Sequence, residues 1–70
     1  MPAPVIRLLY GIYWKREFNS EKVFPMIVQE DFYHDPIFQH VIGPVARKMN
    51  VSLQAAFIRL KKMGIILDST

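Results

Sequence analysis

The chain is 70 residues long, with 51% hydrophobic residues, 21% charged residues and a net charge of +3, which excludes a disordered chain and limits it to one small domain. It contains no cysteine, which excludes disulfides and thiolate metal sites, and no apolar run reaches the roughly 18 residues of a membrane span. The N-terminus lacks the charge order and the cleavage site of a signal peptide, so we predict a cytoplasmic protein without a membrane partner.

A first helix is predicted from about Pro4 to Arg16. Proline is favoured in the first turn of a helix, and apolar residues recur at helical spacing along this segment. The segment Phe18–Ser20 is predicted to end the helix, because asparagine and serine favour helix ends and caps. The predicted apolar stripe consists of Val5, Leu8, Leu9 and Ile12.

Residues 21–35 allow two interpretations. Pro25 is tolerated only in the first turn of a helix that begins after Ser20, whereas the segment Val23–Val28 also suits an extended strand. Because no partner strand is apparent in the sequence, we predict a helix here and keep the extended segment as the alternative.

Two proline-containing pairs divide the next part of the chain. The pair Asp35-Pro36 combines a capping residue with a first-turn proline, and the helix that it begins is predicted to run to about Ile42. The pair Gly43-Pro44 is predicted to interrupt this helix, and its proline is predicted to open another one that ends near Asn50.

A last helix is predicted between Ser52, as its cap, and Gly64, as its end. The apolar segment Ile65–Leu67 that follows either docks as a strand-like tail or packs back onto the core. Apolar residues recur at spacings of three and four along one face of this helix, which predicts the burial of Leu53, Ala56, Phe57, Leu60 and Met63.

Together these elements predict an all-α fold, a small bundle of three to five short helices that forms a single domain over residues 1–70. Residues 44–64 are predicted to form a helix-turn-helix-like unit. Ala46 supplies the small residue that is needed where two helices of such a unit meet, and Asn50 with Val51 supplies the tight turn.

The helix-turn-helix-like unit carries candidate DNA-binding residues. Residues 44–64 contain no acid, and their cations suit contacts with phosphates. Gln54 is able to pair with adenine, and it stands near the front of the last helix. The candidate DNA-binding residues are Arg47, Lys48, Ser52, Gln54, Lys61 and Lys62.

Ile58 argues against DNA reading, because it places an apolar group mid-helix on the outward face, where a groove contact needs a polar one. An exposed isoleucine suits a protein contact better. Ile58 is therefore a candidate protein-docking residue.

The acids and histidines between residues 30 and 40 do not match a metal-ligand spacing. Zinc sites on one helix use histidines at i and i+4, whereas the two histidines here are six residues apart with a proline between them. We predict no metal, no cofactor and no catalytic residue in this chain. The metal site that we weighed as the alternative would consist of Glu30, Asp31, His34, Asp35 and His40.

The segment VARKMNVSLQAAFIRLKKMGII, residues 45–66, resembles the C-terminal end of ImmA/IrrE-type metallopeptidases. In that family a segment of the form lA..f.VS..A...RL..lGl closes the domain. Met1-Pro2 and the helix after it resemble the end of the family's FA..LLMP segment, so the resemblance spans essentially the whole chain. The positions that match the closing segment are Ala46, Val51, Ser52, Ala55, Arg59, Leu60, Met63 and Gly64.

The resemblance implies that this chain is one piece of a longer protein. The family's zinc site needs a His-Glu-x-x-His helix, which this sequence does not contain. The resemblance therefore implies a non-catalytic C-terminal helical module of a zinc metallopeptidase that cleaves or regulates a repressor. Its partner would be the peptidase core or the repressor substrate. The resemblance implies that its docking surfaces are Ile58, the apolar tail and the aromatic Tyr10, Tyr13 and Trp14 of the first helix. For these aromatic residues, closure of the small core is an equal alternative. The alternatives are a free-standing helix-turn-helix DNA-binding transcriptional regulator and a small adaptor that binds only protein.

Overall fold

A computed structural model describes residues 2–29 and 32–68, without the side chain of Phe32. Within these residues the chain is mostly helical, as predicted, but a two-stranded parallel sheet departs from the predicted all-α class. A short 3-10 helix, Phe32–His34, precedes the second α-helix. The other elements in chain order are α1 Ala3–Phe18, β1 Met26–Val28, α2 Pro36–Met49, α3 Leu53–Lys62 and β2 Ile66–Asp68.

The sheet pairs β1 with β2, two strands that are separated in the sequence by α2 and α3. Met26 lies opposite Ile66, and the Met26 N–H donates to the Ile65 carbonyl at 2.9 Å. The predicted helix after Ser20 is therefore wrong, and the extended alternative holds for β1. Parallel strands need a long crossover, so the partner lies far along the chain, in the apolar tail. Both interpretations of that tail are confirmed, since Ile66–Asp68 form a strand and Ile65 and Ile66 are buried in the core.

Helix α2 runs without a break from Pro36 to Met49, so the predicted interruption at Gly43-Pro44 is wrong. An interior proline removes one helical hydrogen bond, and its Cδ crowds the Cβ of the residue before it. Gly43 has no Cβ, which relieves this crowding. The residues on either side of the pair, Ile42 and Val45, are fully buried, so packing keeps the turn helical. The predicted helix end near Asn50 is confirmed, and Asn50 has a left-handed φ of 58°.

Helix α1 buries a different face from the predicted one. Apolar residues occur on both sides of this helix, so spacing alone does not decide which side meets the core. Ile6 and Tyr10 are buried, whereas Leu8 is 65% exposed and Ile12 50% exposed. The face with the larger side chains packs on α2, because aromatic side chains remove more apolar surface from water.

The caps and the buried face of α3 are as predicted. The Asp35 carboxylate accepts from the Ile37 N–H at 2.9 Å, and the Ser52 hydroxyl accepts from the Ala55 N–H at 3.1 Å. Gly64 follows the helix with a φ of 77°, a conformation that favours glycine. The buried face packs against α2 and β2 through Ala56, Phe57 and Leu60, with Leu53 and Met63 half-buried at its edge.

Substitution of Gly43 is expected to show its coupling to Pro44. A Cβ at Gly43 meets no atom beyond its chain neighbours within 4 Å, so the Cδ of Pro44 is the remaining obstacle. We expect Gly43→Ala to stabilise the chain by about 1 kcal/mol in the Pro44→Ala background and by less with Pro44 present. Urea unfolding of the two single variants and the double variant measures this difference.

Gly11→Ala in α1 is the matched control, because a Cβ there meets the Val23 side chain at an ordinary 3.7 Å and no proline follows. It is expected to stabilise the chain by about 1 kcal/mol in either background. Equal gains from Gly43→Ala with and without Pro44 would contradict the steric explanation for glycine at this position.

Candidate interaction surface

The end of α2, a three-residue turn and α3 form the predicted helix-turn-helix-like unit. The Val51 N–H donates to the Ala46 carbonyl and the Asn50 N–H to the Arg47 carbonyl, both at 3.1 Å. Ala46 is 4% exposed where the two helices meet. These hydrogen bonds hold the connection between the two helices, and Gln54 at the start of α3 is exposed.

All six candidate DNA-binding residues have exposed positions, but two of them already have partners. The Ser52 hydroxyl is occupied by the helix cap. The Lys61 ammonium lies 3.3 Å from the Asp68 carboxylate and 5.9 Å from the centroid of the Phe57 ring. The candidates with no such contact stand at the end of α2 and at the two ends of α3, and they are Arg47, Lys48, Gln54 and Lys62.

An apolar groove of about 380 Å³ runs beside the outward face of α3. Val51 and Ile58 are 41% and 46% exposed within it, so the predicted exposure of Ile58 is confirmed. We call this the α3 groove. It is lined by the apolar Ile6, Met49, Val51, Ala55 and Ile58 and by the cationic Arg59 and Lys62.

Val51 and Arg59 line the groove without having been predicted as site residues. Val51, Ala55 and Ile58 follow the i, i+4, i+7 spacing of one helical face, which is a usable signal. Val51 precedes the Ser52 cap and lies in the predicted turn, which obscures this spacing. Arg59 matches the family pattern, whereas its exposed charge beside Ile58 is apparent only in the structure.

The aromatic residues of α1 do not form a free docking face. Tyr10 is 3% exposed, and its hydroxyl donates to the Phe24 carbonyl at 2.8 Å, so the docking role predicted for it is wrong. Trp14 is half-buried, donates from Nε1 to the Lys22 carbonyl at 3.0 Å, and stacks on Phe18 with ring centroids 4.2 Å apart. These two side chains hold the segment before β1 against α1.

Tyr13, the third aromatic candidate, lines a wider cavity of about 740 Å³ between α1 and α2. The Arg16 guanidinium lies 6.0 Å from the centroid of its ring. Across the cavity, His40 Nδ1 and the Glu17 carboxylate are 3.4 Å apart. Tyr13 is half-buried and packs against the core, so it contributes to packing as well as to the cavity wall.

Two residues of the metal site weighed from the sequence, Glu30 and Asp31, lie outside the described residues. Of the others, Asp35 caps α2 and His40 contacts Glu17. Among residues 2–29 and 32–68, no three histidine or carboxylate side chains gather in a way that would hold a metal ion.

Comparison of the chain with protein-family models, with curated proteins and with solved structures found no match. No helix in the described part of the chain has the length and apolar character needed to span a bilayer.

Because Tyr10 is buried, the free energy of unfolding is expected to depend on pH in the alkaline range. Desolvation raises the pKa of its hydroxyl well above the ordinary value of 10.0. Above about pH 10 the unfolded chain therefore loses this proton before the folded chain does, and the free energy of unfolding falls as the pH rises. Urea unfolding between about pH 8 and about pH 11 measures this slope.

Tyr10→Phe is expected to flatten that slope, because it removes the ionisable group. It also removes the hydrogen bond to Phe24, so stability at neutral pH falls by about 1 kcal/mol. Tyr13→Phe is the control, since Tyr13 is not among the fully buried side chains, and it is expected to keep the slope that Tyr10 causes. A slope that survives Tyr10→Phe would show that another group is responsible.

Proposed function

We propose that this chain is a non-catalytic module that recognises a protein partner through the α3 groove. The exposed Ile58 carries this proposal. At 46% exposure it stands mid-helix on the outward face of α3, where DNA reading requires side chains that hydrogen-bond to base edges. Together with Val51 and Ala55 it makes this face apolar, which is typical of the centre of a protein interface.

The charges around the groove indicate the chemistry of the partner. Arg59 and Lys62 line the α3 groove, and no acid occurs in the sequence between Pro36 and Leu67. A partner that buries apolar side chains against Ile58 therefore gains from acids beside them. An amphipathic helix with an acidic flank meets both requirements, since it presents apolar anchors at i, i+3, i+4 and i+7.

The resemblance of residues 45–66 to the end of ImmA/IrrE-type metallopeptidases supports a particular setting for this module. In that setting the chain is the C-terminal helical part of a zinc metallopeptidase involved in repressor cleavage or regulation. The partner of the α3 groove is then the peptidase core or the repressor substrate. This attribution rests on the resemblance, whereas the docking role rests on the groove.

A designed acidic amphipathic peptide tests the docking role. A peptide of about 18 residues, or five helical turns, with leucine along one face and glutamate elsewhere is expected to bind the α3 groove. Ile58→Asp is expected to weaken this binding about tenfold or more, because it places a like charge among the anchors. Fluorescence anisotropy of the labelled peptide gives the affinity, and circular dichroism shows that the fold is kept.

Ile12→Asp is the matched control, because Ile12 is also a helical isoleucine with a similar exposure, 50%, and lies outside the groove. It is expected to leave peptide binding unchanged. Equal binding by the wild type and Ile58→Asp, or equal losses in the two variants, would contradict docking at this groove.

The cations support a second candidate function, that of a free-standing helix-turn-helix DNA-binding regulator. This candidate predicts affinity for a DNA duplex that falls steeply with salt. Replacing Arg47 and Lys48 by glutamine is expected to reduce the slope of log affinity against log salt by about 2. Gln54→Ala is expected to relax sequence preference if α3 reads bases. Anisotropy titrations of a labelled duplex at several salt concentrations measure both effects.

Lys15→Gln with Lys22→Gln is the control for this experiment, since it makes the same change in net charge at two residues outside the cavity that Arg47 lines. An equal reduction of the slope by the two pairs would indicate a general charge effect without a DNA-binding face. A sequence preference that Gln54→Ala leaves unchanged would contradict base reading by α3.

A further inference from the structure

Within residues 2–29 and 32–68, the outer edge of β1 has no neighbouring strand. In a parallel ladder every second residue directs both its N–H and its C=O towards the neighbouring strand. Met26 does so towards β2, as its hydrogen bond to Ile65 shows. Ile27 therefore directs its N–H and C=O away from β2, and within the described residues no other strand covers that edge.

An apolar groove of about 460 Å³ runs along this same edge, between α1 and the start of α2. Phe18 and Ile37 are each well exposed in it, and Ile27 is 69% exposed, the highest value among the large apolar side chains. We call this the β1 edge groove, and its lining includes Trp14, Phe18, Ile27, Ile37 and Phe38. An unpaired strand edge beside apolar pockets is the arrangement that binds extended peptides.

The charge of the surrounding chain is opposite to that of the α3 groove. Asp35 lines the β1 edge groove. Residues 17–35 contain a single lysine, Lys22, and no arginine. The acids in that range are Glu17, Glu21, Glu30, Asp31 and Asp35. A segment with this charge balance attracts basic partners and repels acidic ones.

We propose that the β1 edge groove binds an extended peptide of alternating apolar and basic residues, which adds to β1 as a third strand. The Ile27 N–H and C=O pair with the peptide backbone. Alternate side chains of the peptide enter the groove beside Phe18 and Ile37, because successive side chains of a strand point to opposite faces. The basic residues of the peptide meet Asp35 beside the groove.

A second copy of this chain is a poorer occupant of the same edge. A symmetric antiparallel pair centred on Ile27 would bring the acidic segments of both copies together. Pro25 has no N–H to extend the ladder, and β1 is three residues long. A stable interface buries about 1,200 Å² or more in total, which so short an edge does not supply.

The test uses an eight-residue peptide of alternating valine and lysine with blocked ends, titrated into the full chain labelled with ¹⁵N. We expect saturable chemical-shift changes at Ile27 and Gln29, and protection of the Ile27 amide from hydrogen exchange. Replacing every lysine of the peptide by glutamate is expected to weaken binding about tenfold or more. Two further peptides carry N-methyl groups on every second residue, one on the valines and the other on the lysines. One of these two peptides is expected not to bind, because its methyl groups block the peptide edge that pairs with β1.

Ile37→Lys is expected to weaken binding of the valine-lysine peptide about tenfold, because it removes an apolar wall and adds a like charge. It leaves the backbone edge intact, unlike Ile27→Pro, which risks unfolding the sheet. Ile58→Lys makes the same change in the α3 groove and is expected to leave this binding unchanged. These two variants therefore test the β1 edge proposal separately from docking at the α3 groove.

Three results would overturn the proposal. The first is equal binding of the lysine and glutamate peptides. The second is binding of both N-methylated peptides, since the backbone edge of β1 would then play no part. The third is protection of the Ile27 amide that rises with protein concentration in the absence of peptide, which would assign the edge to a second copy of the chain.

Discussion

The pairing of β1 with β2 holds the two halves of this small domain together. It joins the segment after α1 to the segment after α3, with the Met26 N–H donating to the Ile65 carbonyl at 2.9 Å. The Tyr10 hydroxyl and the Trp14 Nε1–H donate to backbone carbonyls of the segment that precedes β1, and they hold this segment against α1. The Arg7 guanidinium donates to the Met63 carbonyl at 2.8 Å, where α3 ends. A chain of this size buries a small core, so each of these distant contacts matters to its cooperativity.

The same pairing sets the positions of the two candidate surfaces. Because β2 anchors the end of α3, the helix turns one face to α2 and leaves Ile58 and Arg59 outward. Because β1 has β2 on one side, its other edge lies open beside Phe18 and Ile37. The two surfaces differ in charge, since Arg59 and Lys62 line one and Asp35 lines the other, so the partners that we propose for them differ. The proposed helix-binding groove and the proposed strand-binding edge therefore both depend on one pair of short strands.

The parts of the fold that were predictable from the sequence depend on neighbouring residues. The caps at Asp35 and Ser52 and the buried face of α3 follow from spacings of a few residues. The strand pair did not follow, because it joins segments whose contact depends on how α2 and α3 pack. The course of α2 through Pro44 likewise depends on burial of the residues around it. At the site, Ile58 was predictable as an outward apolar residue. The role of Arg59 was not, because it depends on the position of Arg59 beside Ile58 in the groove.

The exposed apolar surface of α1 bears on the choice between the two candidate functions. Val5, Leu8 and Ile12 form a stripe on the side of α1 that faces away from the core. A DNA-binding regulator gains affinity from cations near phosphates and gains nothing from such a stripe, which lowers solubility. A module that associates with other protein surfaces can bury it. These residues of α1 therefore favour protein recognition independently of the α3 groove, since none of the three lines that groove.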